Sequence, residues 1–158
     1  MENLDEKFIR EAIRLAMEGM NSNAGGPFGC VIVKDGEIIS TGYNCVTSTN
    51  DPTAHAEVNA IREACKKLNS FQLNGCTLYT SCEPCPMCLG AIYWARPDRV
   101  VYAASRKDAA YAGFDDDFIY HEFRLHPSER KFKLYQHGAD EAAKLFDVWN
   151  KKSDKMRY

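Results

Sequence analysis

Thr80-Ser81-Cys82-Glu83-Pro84-Cys85-Pro86-Met87-Cys88 is the stretch that decides how this sequence is interpreted. Cys85 and Cys88 stand three residues apart in a proline-containing segment, and thiolate sulfur is a common zinc ligand. Upstream, His55-Ala56-Glu57 offers an imidazole and a carboxylate. Neither motif is very specific alone. The two in this order, each at the start of a predicted helix, indicate a zinc site formed by His55, Cys85 and Cys88.

Three protein ligands leave the fourth zinc position to water, which is the arrangement of a catalytic site. Helix N-termini favour thiolate over thiol, so the predicted helix starts help Cys85 and Cys88 to lose their protons. Glu57 is the candidate general base and acid: it takes a proton from the attacking water and returns protons to a ring nitrogen and a departing amine. This motif order is typical of zinc-dependent nucleobase deaminases.

A closed structural zinc site is the alternative, with Cys82 as a fourth ligand beside His55, Cys85 and Cys88. A chain of 158 residues can bury enough surface to fold without a metal staple, which argues against that reading. The other three histidines, His121, His126 and His137, are assigned no role.

Length and composition predict a single domain over residues 1–158, with 45% hydrophobic residues and no apolar run long enough for a membrane helix. Twenty basic and 22 acidic side chains give a net charge of −2, which argues against a nucleic-acid partner. The seven cysteines are an odd number, and the polar start of the chain is unlike a secretory signal. Both features favour free thiols and a cytoplasmic location.

Predicted helices and strands alternate along the chain, which indicates an α/β fold with a central mixed sheet and helices on both faces. Asp35-Gly36 is a hairpin-turn signal. The strand–helix–strand order over residues 76–104 implies a right-handed crossover and a parallel pair. Helices are predicted from about Asn3 and over 52–69, 89–95 and 142–149, and strands over 30–34, 37–41, 76–80, 100–104 and 131–135.

The sequence resembles the cytidine deaminase-like superfamily, and within it the short bacterial guanine deaminases, at residues 25–29, 50–57, 80–91 and 112–116 and at the terminal Tyr158. The resemblance implies a three-layer α/β/α sandwich around a five-stranded mixed sheet. It also implies zinc as the cofactor and a homodimer, with exchange of C-terminal segments left open. Cys82 is not a ligand in such proteins.

The resemblance also implies hydrolysis of guanine to xanthine and ammonia, and it implies roles for six further residues. Asp116 would be a second catalytic carboxylate, accepting from the N1–H and amino group of the base, while Asn44 would donate to O6 and N7. From composition alone, residues 115–117 are a solvated acidic loop. The implied substrate-binding residues are Asn44, Phe28, Ala56, Trp94 (from the other subunit) and Tyr158, which would close over the base.

Other functions fit the same zinc motif. Guanosine, cytosine or aminotriazine could be the substrate. A tRNA adenosine deaminase would need a basic track for phosphates, and the only dense basic stretch is the tail 151–158. A zinc-stabilised binding module without catalysis would lack the open fourth position.

Overall fold

The computed structural model describes residues 3–158, and the chain divides into two compact units, the first ending at Asp116 and the second spanning Asp117–Tyr158. No helix among residues 3–158 is long and apolar enough to cross a membrane. The first unit contains α1 (Leu4–Asn21), β1 (Gly29–Lys34), β2 (Glu37–Tyr43), α2 (Val46–Thr49), α3 (Ala56–Leu68), β3 (Cys76–Cys82), α4 (Pro86–Ala95), β4 (Arg99–Ala104) and α5 (Arg106–Tyr111). The second contains α6 (Asp117–Arg124) and α7 (Ala139–Lys151).

The first unit is built on a mixed sheet with the strand order β2-β1-β3-β4. β1 is antiparallel to β2 and β3, whereas β3 and β4 are parallel and are joined through α4. Asp35 and Gly36, between β1 and β2, both have positive φ, at 51° and 79°, which matches the twist of a tight hairpin. The predicted hairpin and the predicted parallel pair are both confirmed.

Buried residues form two clusters that take alternate residues of β1. Val31 and Val33 pack with Phe8 and Ala12 of α1, whereas Cys30 and Ile32 belong to a cluster that includes residues of α3 and α4. Since successive strand residues point to opposite faces, helices pack against both faces of the sheet. α3 and α4 are thereby held in one cluster with β1 and β3.

Close backbone contact fixes the start of α3 on the sheet. A Cβ at Gly42 of β2 would lie 2.5 Å from the carbonyl oxygen of Ala56 and 2.9 Å from the amide nitrogen of Ala60. Only glycine leaves room for this approach. The helix predicted over 52–69 begins at Ala56, because Asp51 Oδ1 accepts a hydrogen bond from the Thr53 amide at 2.8 Å and holds the preceding residues in a turn.

The second unit corrects one prediction. Residues 131–135 do not form a strand, and the described residues contain four strands rather than five. Alternating Lys and apolar residues suggested a strand there, but a strand forms only where another can pair with it, and residues 117–158 contain no other strand. Phe132 and Leu134 are exposed. The apolar side chains that the prediction placed on one face of the final helix, which is α7, are exposed as well. The final helix itself is confirmed.

Candidate active site

His55 and Glu57 lie at the N-terminal end of α3. His55 is the N-cap residue, has extended backbone angles (φ −72°, ψ 155°) and uses no side-chain atom to cap the helix. Glu57 lies in the first turn and is only 6% exposed. Although residues two apart on a helix point to different sides, His55 precedes the helix, and both side chains reach Cys88.

Cys85 and Cys88 lie at the N-terminal end of α4. Cys85 is the N-cap residue, Pro86 opens the helix, and Cys88 is buried in the first turn. His55 Nδ1 lies 3.5 Å from Cys85 Sγ and 3.4 Å from Cys88 Sγ. The ligand atoms of the three residues all lie within 4.8 Å of one another, so two helix N-termini converge on a cluster that fits a metal ion.

The donor set of this cluster suits zinc, which prefers imidazole nitrogen and thiolate sulfur. A hydrogen bond from the Cys88 thiol, supported by one from His55, lowers the pKa of Cys85 to about 4. The same Cys85–Cys88 hydrogen bond, together with burial, raises the pKa of Cys88. The hydrogen bond to Cys85 raises the pKa of His55. These interactions favour the thiolate form of Cys85, and Cys88 would lose its proton when a divalent cation binds.

Cys82 takes no part in the cluster. Its Sγ donates to the carbonyl oxygen of Ser105 at 3.7 Å, and burial raises the pKa of its thiol to about 11. Among the described residues, the group that could hold a metal consists of His55, Cys85 and Cys88. This geometry argues against a closed structural zinc site, because Cys82, its expected fourth ligand, lies outside the cluster.

Both carboxylate oxygens of Glu57 have close polar neighbours. Oε1 accepts a hydrogen bond from Thr80 Oγ1 at 3.1 Å, and Oε2 lies 3.4 Å from Cys88 Sγ. Burial raises the pKa of this carboxyl group. A carboxyl group with a raised pKa beside a metal cluster is suited to taking up and releasing a proton. Sequence analysis missed Thr80, because a threonine inside a strand carries no local signal of such a contact.

Asn44 is buried beside the cluster-bearing elements, in the segment that follows β2. Its Oδ1 accepts hydrogen bonds from the amides of Gly26 at 3.2 Å and Val46 at 3.1 Å. These two bonds identify the oxygen end of the side-chain amide and fix the direction of its NH₂ group. Asn44 is therefore oriented as a hydrogen-bond donor.

The other residues predicted to contact the substrate differ in how deeply they are buried. Ala56 is fully buried as the first residue of α3, and the Phe28 ring packs edge-on against Phe114 at 5.0 Å between centroids. Asp116 has a raised pKa, caused mainly by burial and then by the negative charge of Cys85. Trp94 is 63% exposed on α4, and Tyr158, in the second unit, is 71% exposed.

Residues 2–104 match the family described as the cytidine and deoxycytidylate deaminase zinc-binding region. The chain belongs to this deaminase family. The match contains both cluster-forming helix starts and all four strands, so the geometry described above lies within the part that defines the family.

Relatives of this deaminase include two kinds of enzyme. This chain is 58% identical over 153 residues to the guanine deaminase of Bacillus subtilis, and the match covers 97% of this chain and 98% of that one. The crystal structure of that guanine deaminase superposes with a TM-score of 0.95 at 57% identity, over 100% of this chain and 99% of the other. The tRNA-specific adenosine deaminase of Aquifex aeolicus is 45% identical over 102 residues, covering 65% of this chain and 67% of that relative. The structure of the guanine deaminase from Nitrosomonas europaea gives a TM-score of 0.66 at 32% identity, over 69% of this chain and 63% of the other.

Proposed function

We propose that this deaminase hydrolyses guanine to xanthine and ammonia. The observation that carries the proposal is the 58% identity to the Bacillus subtilis guanine deaminase over nearly the full length of both chains. The similarity to the Aquifex aeolicus tRNA-specific adenosine deaminase covers only about two thirds of this chain, at 65%. The similarity to the guanine deaminase therefore extends well beyond the family region, which ends at residue 104.

His55, Cys85 and Cys88 would hold zinc, with the fourth position open. A zinc ion in such a site acidifies a water molecule and so supplies the nucleophile at neutral pH. The protein contributes the ligand geometry and the two helix N-termini, which favour the thiolate forms of Cys85 and Cys88.

Glu57 moves the protons of the reaction. It takes a proton from the attacking water as oxygen bonds to the carbon that carries the amino group, and passes it to the adjacent ring nitrogen. It then takes the second proton of that water from the newly attached hydroxyl group and transfers it to the amino nitrogen; the carbon–nitrogen bond breaks, the carbonyl forms and ammonia leaves. Burial raises the pKa of this carboxyl group, which makes it a stronger proton acceptor than an exposed glutamate.

Asn44 and Asp116 would recognise opposite edges of the base. The Asn44 amide, with its oxygen fixed by Gly26 and Val46, can donate to the O6 and N7 acceptors of guanine. Asp116 can accept from N1–H and the amino group, and we assign it a catalytic role as a second carboxylate. Phe28, Ala56, Tyr158 and the partner subunit's Trp94 would enclose the ring. A site built this way rejects purines that lack these groups.

We infer that the protein works as a homodimer in which C-terminal segments are exchanged. None of the residues 117–158 is buried, although they include Phe132, Leu134 and Phe146. β4 lies at one edge of the sheet, with Val100 and Tyr102 exposed. A partner's C-terminal segment could cover this edge and complete a three-layer α/β/α domain. Light scattering is expected to give the mass of two chains, and a monomer would contradict this.

A cytoplasmic location is part of the proposal, since all seven cysteines are free thiols. We also propose that residues 1–158 form a single domain, whose C-terminal part is completed in the dimer.

Glu57→Gln tests the proposed chemistry. The variant keeps the shape of the side chain and should bind zinc normally, but it should lose about 10²–10⁴-fold in guanine turnover because it cannot accept a proton. Glu63→Gln, on the same helix α3, is the matched control and should turn over guanine like the parent protein. Near-normal turnover by zinc-loaded Glu57→Gln would remove Glu57 from this role.

A further inference from the structure

Thr80 makes a contact that the mechanism above does not use. It lies on β3, is 1% exposed, and its Oγ1 donates to Glu57 Oε1 at 3.1 Å. The other carboxylate oxygen, Oε2, faces Cys88 Sγ at 3.4 Å. The two oxygens of Glu57 are thus distinguished: Oε1 faces the sheet, and Oε2 faces the metal-binding cluster.

The strand gives Thr80 a fixed position. β3 is an inner strand, and Thr80 is paired with Cys30 of β1 on one side and with Tyr102 of β4 on the other. Its side chain is β-branched, so few rotamers are available to it. Glu57, in contrast, has a terminal torsion with broad preferences, and nothing in its own chemistry selects which oxygen faces the cluster.

We propose that Thr80 is a positioning residue that acts through Glu57. By donating to Oε1, it directs Oε2 toward the reacting water and amine, so that Oε2 is the oxygen that gains and loses the proton. The Thr80 hydroxyl proton stays on Oγ1 throughout. It maintains the hydrogen bond while a proton moves from water to Oε2, and from Oε2 to the substrate nitrogens. This inference rests on the proposed role of Glu57.

Thr80→Val is the decisive change, because valine preserves the branched shape and removes the donor. Oε1 would then be a buried acceptor without its partner, and the carboxylate would rotate in search of another. We expect kcat for guanine to fall about 10- to 100-fold, in line with the loss of a hydrogen bond to a charged group. KM should stay within about twofold, because Thr80 does not touch the substrate.

Two variants separate positioning from stability. Thr80→Ser keeps the hydroxyl and should recover most of the lost kcat. Ser40→Ala removes another buried hydroxyl that bonds to the same helix: Ser40 Oγ donates to the Ala60 carbonyl of α3 at 2.8 Å, with no link to Glu57. It should lower the melting temperature about as much as Thr80→Val while leaving kcat unchanged.

A double-mutant cycle tests whether Thr80 acts through Glu57. Adding Thr80→Val to Glu57→Gln should produce no further loss of kcat, because the group that Thr80 positions no longer transfers protons. All variants are compared as zinc-loaded protein with measured metal content.

The inference is overturned if folded, zinc-loaded Thr80→Val keeps kcat within about twofold of the parent, if serine fails to restore kcat, or if the two losses multiply in the cycle. Failure of the proposed function looks different: the parent protein would not deaminate guanine, or Glu57→Gln would be as active as the parent.

Discussion

Gly25→Ala is expected to disable substrate recognition while leaving the zinc cluster intact. A Cβ at position 25 would lie 2.1 Å from Asn44 Oδ1 and 2.7 Å from the Asn44 carbonyl oxygen. Ordinary contacts of a Cβ begin at 3.4 Å, so the amide oxygen or the loop that carries Gly25 must move by about 1.3 Å.

That movement breaks the hydrogen bonds from the amides of Gly26 and Val46 that orient the Asn44 side chain. Each such bond contributes about 0.5–1.5 kcal/mol, so losing both costs roughly 1–3 kcal/mol. The NH₂ group that we propose faces the base is displaced with them, and a misplacement of about 1 Å at a positioning residue can cost about 10²-fold in rate. We therefore expect kcat/KM for guanine to fall about 10²-fold.

The assay is xanthine formation under steady-state conditions, with zinc content and thermal unfolding measured on the same preparations. Gly90→Ala is the matched control: Gly90 lies in α4, two residues after Cys88, and a Cβ there meets no atom within 4 Å. It should keep full activity. Gly25→Ala protein that retains zinc and stays within about threefold of the parent kcat/KM would refute the argument that Asn44 must be oriented.

Three further outcomes follow from the structure. Cys82→Ser should keep zinc and activity, because Cys82 lies outside the cluster; loss of a zinc-bound sulfur in X-ray absorption would restore the structural alternative. Removing Tyr158 should raise KM or lower kcat for guanine with zinc and fold unchanged, and unchanged kinetics would discard its role in closing the site. The hydrogen bond from Arg99 lowers the pKa of Asp5. The ion pair therefore stabilises the native state at pH values above the ordinary aspartate pKa of about 3.9. This stabilisation is lost as the pH falls through the lower pKa of Asp5 in the native state. Asp5→Asn should therefore flatten the pH dependence of the free energy of unfolding below about pH 5; an unchanged slope of that free energy against pH, from denaturant titrations, would contradict this.

Local sequence signals predicted the elements that carry the cluster. The hairpin at Asp35-Gly36, the parallel β3–β4 pair and the helices that follow His55 and Cys85 need only turn chemistry, periodicity and the crossover rule. Because a zinc site requires a particular donor set, His55, Cys85 and Cys88 could be chosen before any geometry was known.

Contacts that depend on long-range register could not be predicted in this way. Thr80 meets Glu57 only because the fold brings this residue of β3 close to the first turn of α3, and nothing in the sequence near Thr80 indicates this. The strand expected over 131–135 was wrong because a strand needs a partner, and periodicity does not show which partner exists. Asn44 was chosen through the resemblance alone; its two backbone donors became visible only in the structure.

Ammonia release from guanine and guanosine, measured side by side with the zinc-loaded protein, tests the central claim most directly. We predict that guanine is converted to xanthine much faster than guanosine is deaminated, and that Glu57→Gln slows the reaction about 10²–10⁴-fold. Guanosine turned over faster than guanine would contradict the proposed pocket, and release of ammonia from neither would contradict the proposed function itself.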